Sequence, residues 1–191
     1  MIHHQHKVIF VHIPRTGGSS IEAALGIKSK LTNNFTFECF EGKHGTASEY
    51  KKEWPQWPYF FKFSFVRNPW DRIASNYEFM KVHPLSPLYK IELSFKQWLY
   101  NKDSSWGHFL DKQNKGYSYF LDQELNFIGK YENLQSDWDF ICRSININSL
   151  LPHINKTQRK QYTEYYDDET RQIVAEKYRK DIDDFSYKFG E

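Results

Sequence analysis

Val8 to Val11 are consecutive apolar residues, mostly β-branched, as expected for a strand covered on both faces. The run breaks into "HIPRTGGSS", and the following "SSIEAALG" has a helical period. Ser19 or Ser20 is predicted to cap that helix, Ile21, Ala24 and Leu25 to share its inner side, and Gly26 to end it. A second strand, Tyr59 to Val66 in "YFFKFSFV", follows the strand-breaking "EWPQWP". It runs straight into "RNPWDRIASNYEFMKVH", where Asn68 suits an N-cap, Pro69 the first helical turn and Asp71 the positive helix end. "LNFIGKYENL" predicts a third strand ending near Tyr131, and "NLQSDWDFICRSI" a helix capped by Asn133. The tail "DDETRQIVAEKYRKDIDDFSYKF" reads as one helical pattern with Ile173, Val174, Tyr178 and Ile182 inward. "SFKQWLYN" predicts a short helix, and "FEGKHGTASEYKKEW" a loop running into another. Residues 102–123 have too weak a period to assign. Repeated strand-to-helix units predict an α/β domain, a three-layer sandwich with a central parallel sheet. No domain boundary is visible, so residues 1–191 are expected to form a single domain.

Composition changes little in that picture. The 191 residues include 6 Trp, 13 Tyr and 16 Phe, enough to bury a core despite a negative mean hydropathy. A net charge of +2 gives no bulk argument for nucleic acid or membrane binding. Cys39 and Cys142 are distant and form no CxxC pair, so two reduced thiols in a cytoplasmic protein are expected. No apolar stretch approaches the ~20 residues of a membrane span, and no leader-like segment precedes the first strand. His3, His4 and His6 resemble a metal-binding tract, but the polar "MIHHQHK" is expected to be a frayed end.

The glycine-containing turn between a strand and a helix suits an anion, because unpaired N–H groups point into one space. "PRTGGSS" lacks the opening glycine and the lysine of a Walker loop, and it lacks the G-x-G-x-x-G of a dinucleotide fold. An ordinary strand–helix turn remains an alternative for this stretch taken alone.

"HIPRTGGSSIEAAL" resembles the 5′-phosphosulfate loop of the carbohydrate-type, Golgi-like sulfotransferases, and "FSFVRNPWDRIASNY" resembles their 3′-phosphate motif. The two occur in the family's order, each after a strand. The likeness continues through "FIGKYENL", "HINKT" and the final helical segment, over nearly the whole chain. The resemblance implies the P-loop-like sulfotransferase fold and a donor, 3′-phosphoadenosine 5′-phosphosulfate (PAPS), whose product is the 3′,5′-bisphosphate PAP; it implies no metal. Thr16, Gly17, Gly18, Ser19 and Ser20 would offer amides and hydroxyls to the 5′-phosphosulfate. Arg67 has the planar fork for a 3′-phosphate, and Ser75 stands at the family's spacing for a second ligand. A generic ion pair for Arg67 and a plain buried hydroxyl for Ser75 stay open. Asp71 and Arg72 are expected to be structural. Many relatives carry lysine where this chain has Arg15, which would bind the cofactor and stabilise the leaving oxygen but could not serve as a general acid.

Sulfuryl transfer to a hydroxyl needs a base, and His44 in "EGKHGTAS" falls where the resemblance implies one, with Lys43 beside it. A solvated loop histidine is the alternative, and His108 is the runner-up base. His12 is expected to be a satisfied histidine of the first strand, and His83 a helix C-terminal cation. His153 belongs to "HINKT", where Lys156 is the better cofactor ligand and Arg159 adds charge. Glu132 resembles a position near the cofactor, or is a structural carboxylate. The expected activity is transfer from PAPS to a hydroxyl-bearing small molecule or glycan. A catalytically silent PAPS- or PAP-binding regulatory protein is the alternative, and a nucleotide-dependent kinase a weaker one. Trp54, Trp57, Trp98, Trp106, Tyr117 and Tyr119 would stack acceptor sugars or fill the core.

Overall fold

Strand β2, Val8–Val11, is the centre of the structure, buried along its whole length. The computed structural model describes residues 1–26, 37–38, 44–82, 86, 89, 92–101, 112–152 and 159–191. Among them the strands form one sheet, β1 (Ile2–His3), β2, β3 (Phe37–Glu38), β4 (Phe61–Val66) and β5 (Phe127–Lys130), in the order β3-β1-β2-β4-β5. β2, β4 and β5 are parallel, with Val8 opposite Phe61 and Phe63 opposite Phe127; β1 adds antiparallel to β2, and β3 to β1. The sheet is therefore mostly parallel, and its α/β character is the one the alternating pattern predicts.

Contacts divide the described chain into two compact units, Met1–Val66 with Tyr117–Lys156, and Arg67–Gly116 with Thr157–Glu191. In the first unit, Val8 and Phe10 of β2 and Phe63 and Phe65 of β4 face one way. They pack under Ile21 and Leu25 of α1 (Gly18–Ala24 and its C-cap) and Trp138, Ile141 and Cys142 of the helix at Leu134–Ser144. On the opposite face Ile9, Val11, Ser64 and Val66 are also fully buried, as a parallel sheet requires. α2 (Ala47–Glu53) begins with a capping box between Thr46 and Glu49.

In the second unit, α3 (Pro69–Val82) carries Trp70, Ile73, Tyr77 and Met80 into a cluster with Phe95, Trp98 and Leu99 of α4 (Phe95–Asn101). Val174 and Tyr178, from the C-terminal segment, complete it. α5 (Tyr117–Phe120) and α6 (Leu134–Ser144) belong to the first unit, α7 (Asp168–Lys177) and α8 (Arg179–Phe185) to the second. No described helix is long and apolar enough to cross a membrane.

Several expectations are corrected. The N-terminal segment is not frayed: Ile2 and His3 form β1, and residues 4–7 make the turn of a hairpin, with the Lys7 amide donating to His4 O at 3.2 Å. Neither Ser19 nor Ser20 caps α1. Its N-cap is Gly17 at φ 88°, two or three residues ahead of the cap that its apolar period suggests. β4 starts at Phe61, since Trp57–Tyr59 around Pro58 forms a 3-10 turn. Asn133 sits at the N-cap of α6 without a side-chain bond to it; Asp137 instead accepts the Lys130 amide at 2.7 Å. The C-terminal pattern is two helices, broken at Tyr178 (φ −110°, ψ 25°). Trp57, Trp98 and Tyr117 are core residues, Tyr119 is partly exposed, and Trp106 lies outside the described residues.

Candidate functional site

In the first unit, β2 ends in a loop whose backbone turns left-handed twice, at Arg15 (φ 67°) and at Gly17 (φ 88°). The turn at Arg15 is the notable one, because a left-handed conformation costs a non-glycine residue about 1–2 kcal/mol and gathers at functional loops. Between them Thr16 is fully buried and its hydroxyl donates to Ile13 O at 2.9 Å, fastening the loop to the strand end. Among the described residues, the amides of Thr16, Gly17, Gly18 and Ser19 find no protein acceptor. Gly17 is required by its positive φ and by the side chains of Tyr131 and Leu134, which a Cβ would approach to 3.2 and 3.1 Å. Ser19 and Ser20 are the second and third residues of α1, and Ser20 is buried.

A histidine pair lies against this loop. The His12 ring rests on Gly18 so closely that a Cβ there would fall 1.9 Å from His12 Nε2. Nδ1 of His12 meets the buried Glu22 carboxylate at 2.8 Å, and the ring stacks on Phe10 with centroids 5.2 Å apart. His44 stands edge-on to it, at 4.6 Å and 70°, with Nδ1 3.0 Å from His12 O. A carbonyl oxygen only accepts, so His44 Nδ1 carries the hydrogen, and in the neutral ring the basic nitrogen is Nε2. Sequence reasoning took His12 as a satisfied strand histidine and passed over Glu22; their pairing joins a strand end to a helix ten residues on, a distance no short motif reports.

In the second unit, Arg67 and the first two turns of α3 are buried although they carry five polar side chains: Arg67, Asp71, Arg72, Ser75 and Asn76. The Arg67 fork grips Asp71, with Nε and Nη2 each 2.7 Å from Oδ2. Asp71 Oδ1 accepts from a second arginine, Arg159. Two guanidiniums thus share one carboxylate, and among the described residues the buried Arg159 Nη1 has no hydrogen-bond acceptor. Such a donor is costly unless an anion completes it. Asn68 is occupied structurally: its Oδ1 accepts the Trp70 amide at 3.2 Å, and its Nδ2 donates to Lys188 O at 2.8 Å. Arg72 is structural as expected, with Nη1 2.9 Å from Lys115 O.

A model described as the sulfotransferase family matches residues 1–188. The chain belongs to the sulfotransferase family. The match runs through both compact units, and the mostly parallel α/β sheet is the architecture such a sulfotransferase needs. No curated protein matches the chain. Membership brings sulfuryl transfer as the family's general chemistry. The residues singled out from the sequence then fall into two groups. Arg15 to Ser20 and His44 share the first unit with His12 and Glu22, while Arg67 and Ser75 share the second with Asp71 and Arg159. Glu132 is exposed in the 3-10 turn Tyr131–Asn133. Lys43, His83, His108, His153 and Lys156 lie outside the described residues. Among the described residues no group of His, Cys, Asp and Glu is arranged to hold a metal.

Proposed function

We propose that this sulfotransferase moves a sulfuryl group from PAPS to a hydroxyl of a carbohydrate or related metabolite. The observation that carries the reading is the buried Arg67–Asp71–Arg159 group, two guanidiniums on one carboxylate, with no acceptor for Arg159 Nη1 among the described residues. It stands in the segment that resembles the family's 3′-phosphate motif. Ser75, two helical turns after Arg67, adds a hydroxyl, and Lys156 a further cation. The amides of residues 16–19 and the hydroxyls of Ser19 and Ser20 take the 5′-phosphosulfate, whose chemistry suits donors without protein acceptors.

PAPS supplies the sulfuryl group, its S–O bond to the 5′-phosphate breaking as the acceptor oxygen bonds to sulfur. His44 Nε2 accepts the acceptor's hydroxyl proton, and the hydrogen bond from Nδ1 to His12 O holds the ring in the tautomer that allows it. Arg15 stabilises the negative charge that gathers on the departing phosphate oxygen. No step asks for a metal, because positioning and fixed charge do the work.

The test is incubation with sulfur-labelled PAPS and a panel of sugars, small alcohols and native extract. Label should appear on a hydroxyl-bearing acceptor. Arg15→Ala should cut turnover about 10²–10³-fold, the scale of losing one oriented stabiliser, with Arg15→Lys recovering much of it. PAP binding without label on any acceptor would instead mark a silent nucleotide-binding protein.

A further inference from the structure

The C-terminal residues are wrapped onto the turn that carries Arg67, where Phe189 packs against the cluster that holds Trp70. Phe189 enters a box of aromatic edges, with ring centroids 5.6 Å from Trp70, 5.6 Å from Tyr162 and 5.5 Å from Tyr166, all tilted by 82–85°. The Arg171 guanidinium caps the same ring at 5.5 Å. On one side of the box, the Tyr162 hydroxyl uses its whole hydrogen-bonding capacity on this segment and on Asn68. It donates to Glu191 O at 3.1 Å and accepts from the Gly190 amide at 2.5 Å and Asn68 Nδ2 at 3.5 Å. On the other, Tyr166 Oη donates to Trp70 O at 2.8 Å, and Trp70 Nε1 donates to Arg171 O at 3.0 Å.

Two of the residues so held, Asn68 and Trp70, flank the start of α3. Asn68 follows Arg67 directly, ties its side chain back to the Trp70 amide, and donates to Lys188 O. We infer that residues 187–191 form a clasp that fixes the 67–71 turn, with Phe189 as its positioning residue, so that the Arg67 fork on Asp71 is set before a phosphate arrives. This rests on the reading of Arg67 as a ligand of the 3′-phosphate. The clasp touches the nucleotide nowhere itself. It acts through the orientation of the turn, so its influence is confined to ligands that carry the 3′-phosphate.

The experiment is calorimetric titration of the full chain with PAP and with adenosine 5′-monophosphate, which lacks that phosphate. The wild type should prefer PAP. Phe189→Ala should lower PAP affinity about five- to tenfold, the scale of a lost aromatic cluster, and leave the monophosphate within about twofold. Phe189→Tyr, which keeps the ring, should restore the preference. Tyr162→Phe, which keeps the aromatic box and removes one hydroxyl, should give a smaller loss of the same kind and serves if Phe189→Ala does not fold. A wild type that binds both nucleotides equally would overturn the 3′-phosphate reading itself. A wild type that discriminates, with variants that keep the same ratio or weaken both ligands alike, would overturn the clasp alone.

Discussion

Gly18 offers the sharpest handle on the first loop, because the space a side chain would need is already filled by a ring that cannot retreat. A methyl group at Gly18 would lie 1.9, 2.2 and 2.4 Å from Nε2, Cδ2 and Cε1 of His12. That ring is buried, paired to Glu22 at 2.8 Å and stacked on Phe10, with the His44 ring at its other side. Overpacking of this kind costs about 1–3 kcal/mol. The backbone at Gly18 is not left-handed, so alanine returns up to about 1 kcal/mol in helix propensity. The net expectation for Gly18→Ala is a loss of about 1–2 kcal/mol, or about 2–8 °C in Tm for a chain of this size. Turnover should fall further than stability, since the displaced ring packs edge-on against His44 at 4.6 Å. Thermal denaturation beside a sulfuryl-transfer assay reads both. In a double-mutant cycle, Gly18→Ala should cost less in a His12→Ala background than in the wild type, a coupling of about 1 kcal/mol or more. A Gly18→Ala protein as stable and as active as wild type would refute the placement of His12 on the loop.

Arg67→Ala should weaken PAP by about 1.5–3 kcal/mol, the worth of charge-assisted contacts, with the loss read by calorimetry. His44→Ala should cost about 10²–10⁴-fold in turnover while PAP still binds normally; His108→Ala is the control, and inactivity in that variant alone would move the base. Burial, aided by the positive charge of His6, pushes the His3 imidazole down to about 4 from 6.5. The unfolded chain therefore takes up a proton between those pH values that the folded chain refuses, so stability is complete above about pH 6.5 and falls as the pH drops towards 4. Urea midpoints at pH 7 and pH 5 should differ less for His3→Gln than for wild type.

The parts of the fold that were legible are those whose pattern is local. β2, β4 and α3 each join an apolar run or a proline-capped helix start to a residue with special chemistry; β2 and α3 stand where the period puts them, and β4 starts two residues later. β1 was missed because Ile2 and His3, at the head of a run of polar residues, carry no period; only pairing with Val8 and Ile9 makes them a strand. The break at Tyr178 is likewise set by tertiary burial, for the sequence runs helically through it. At the site, Arg15, the following loop and Arg67 were legible as motifs. The partners that orient them, Glu22 for His12 and Arg159 for Asp71, are brought in from 10 and 88 residues away and follow no spacing rule.

The central claim, that the Arg67 turn serves a 3′-phosphorylated donor, meets its most direct test in the binding of PAP to the wild-type chain in the presence of a metal chelator. Saturable one-to-one binding, at least about tenfold tighter than adenosine 5′-monophosphate, is the expected result, because a buried guanidinium pair with one unpaired donor gains most from the extra phosphate. No heat of binding with PAP, or an affinity no better than that of the monophosphate, would contradict it.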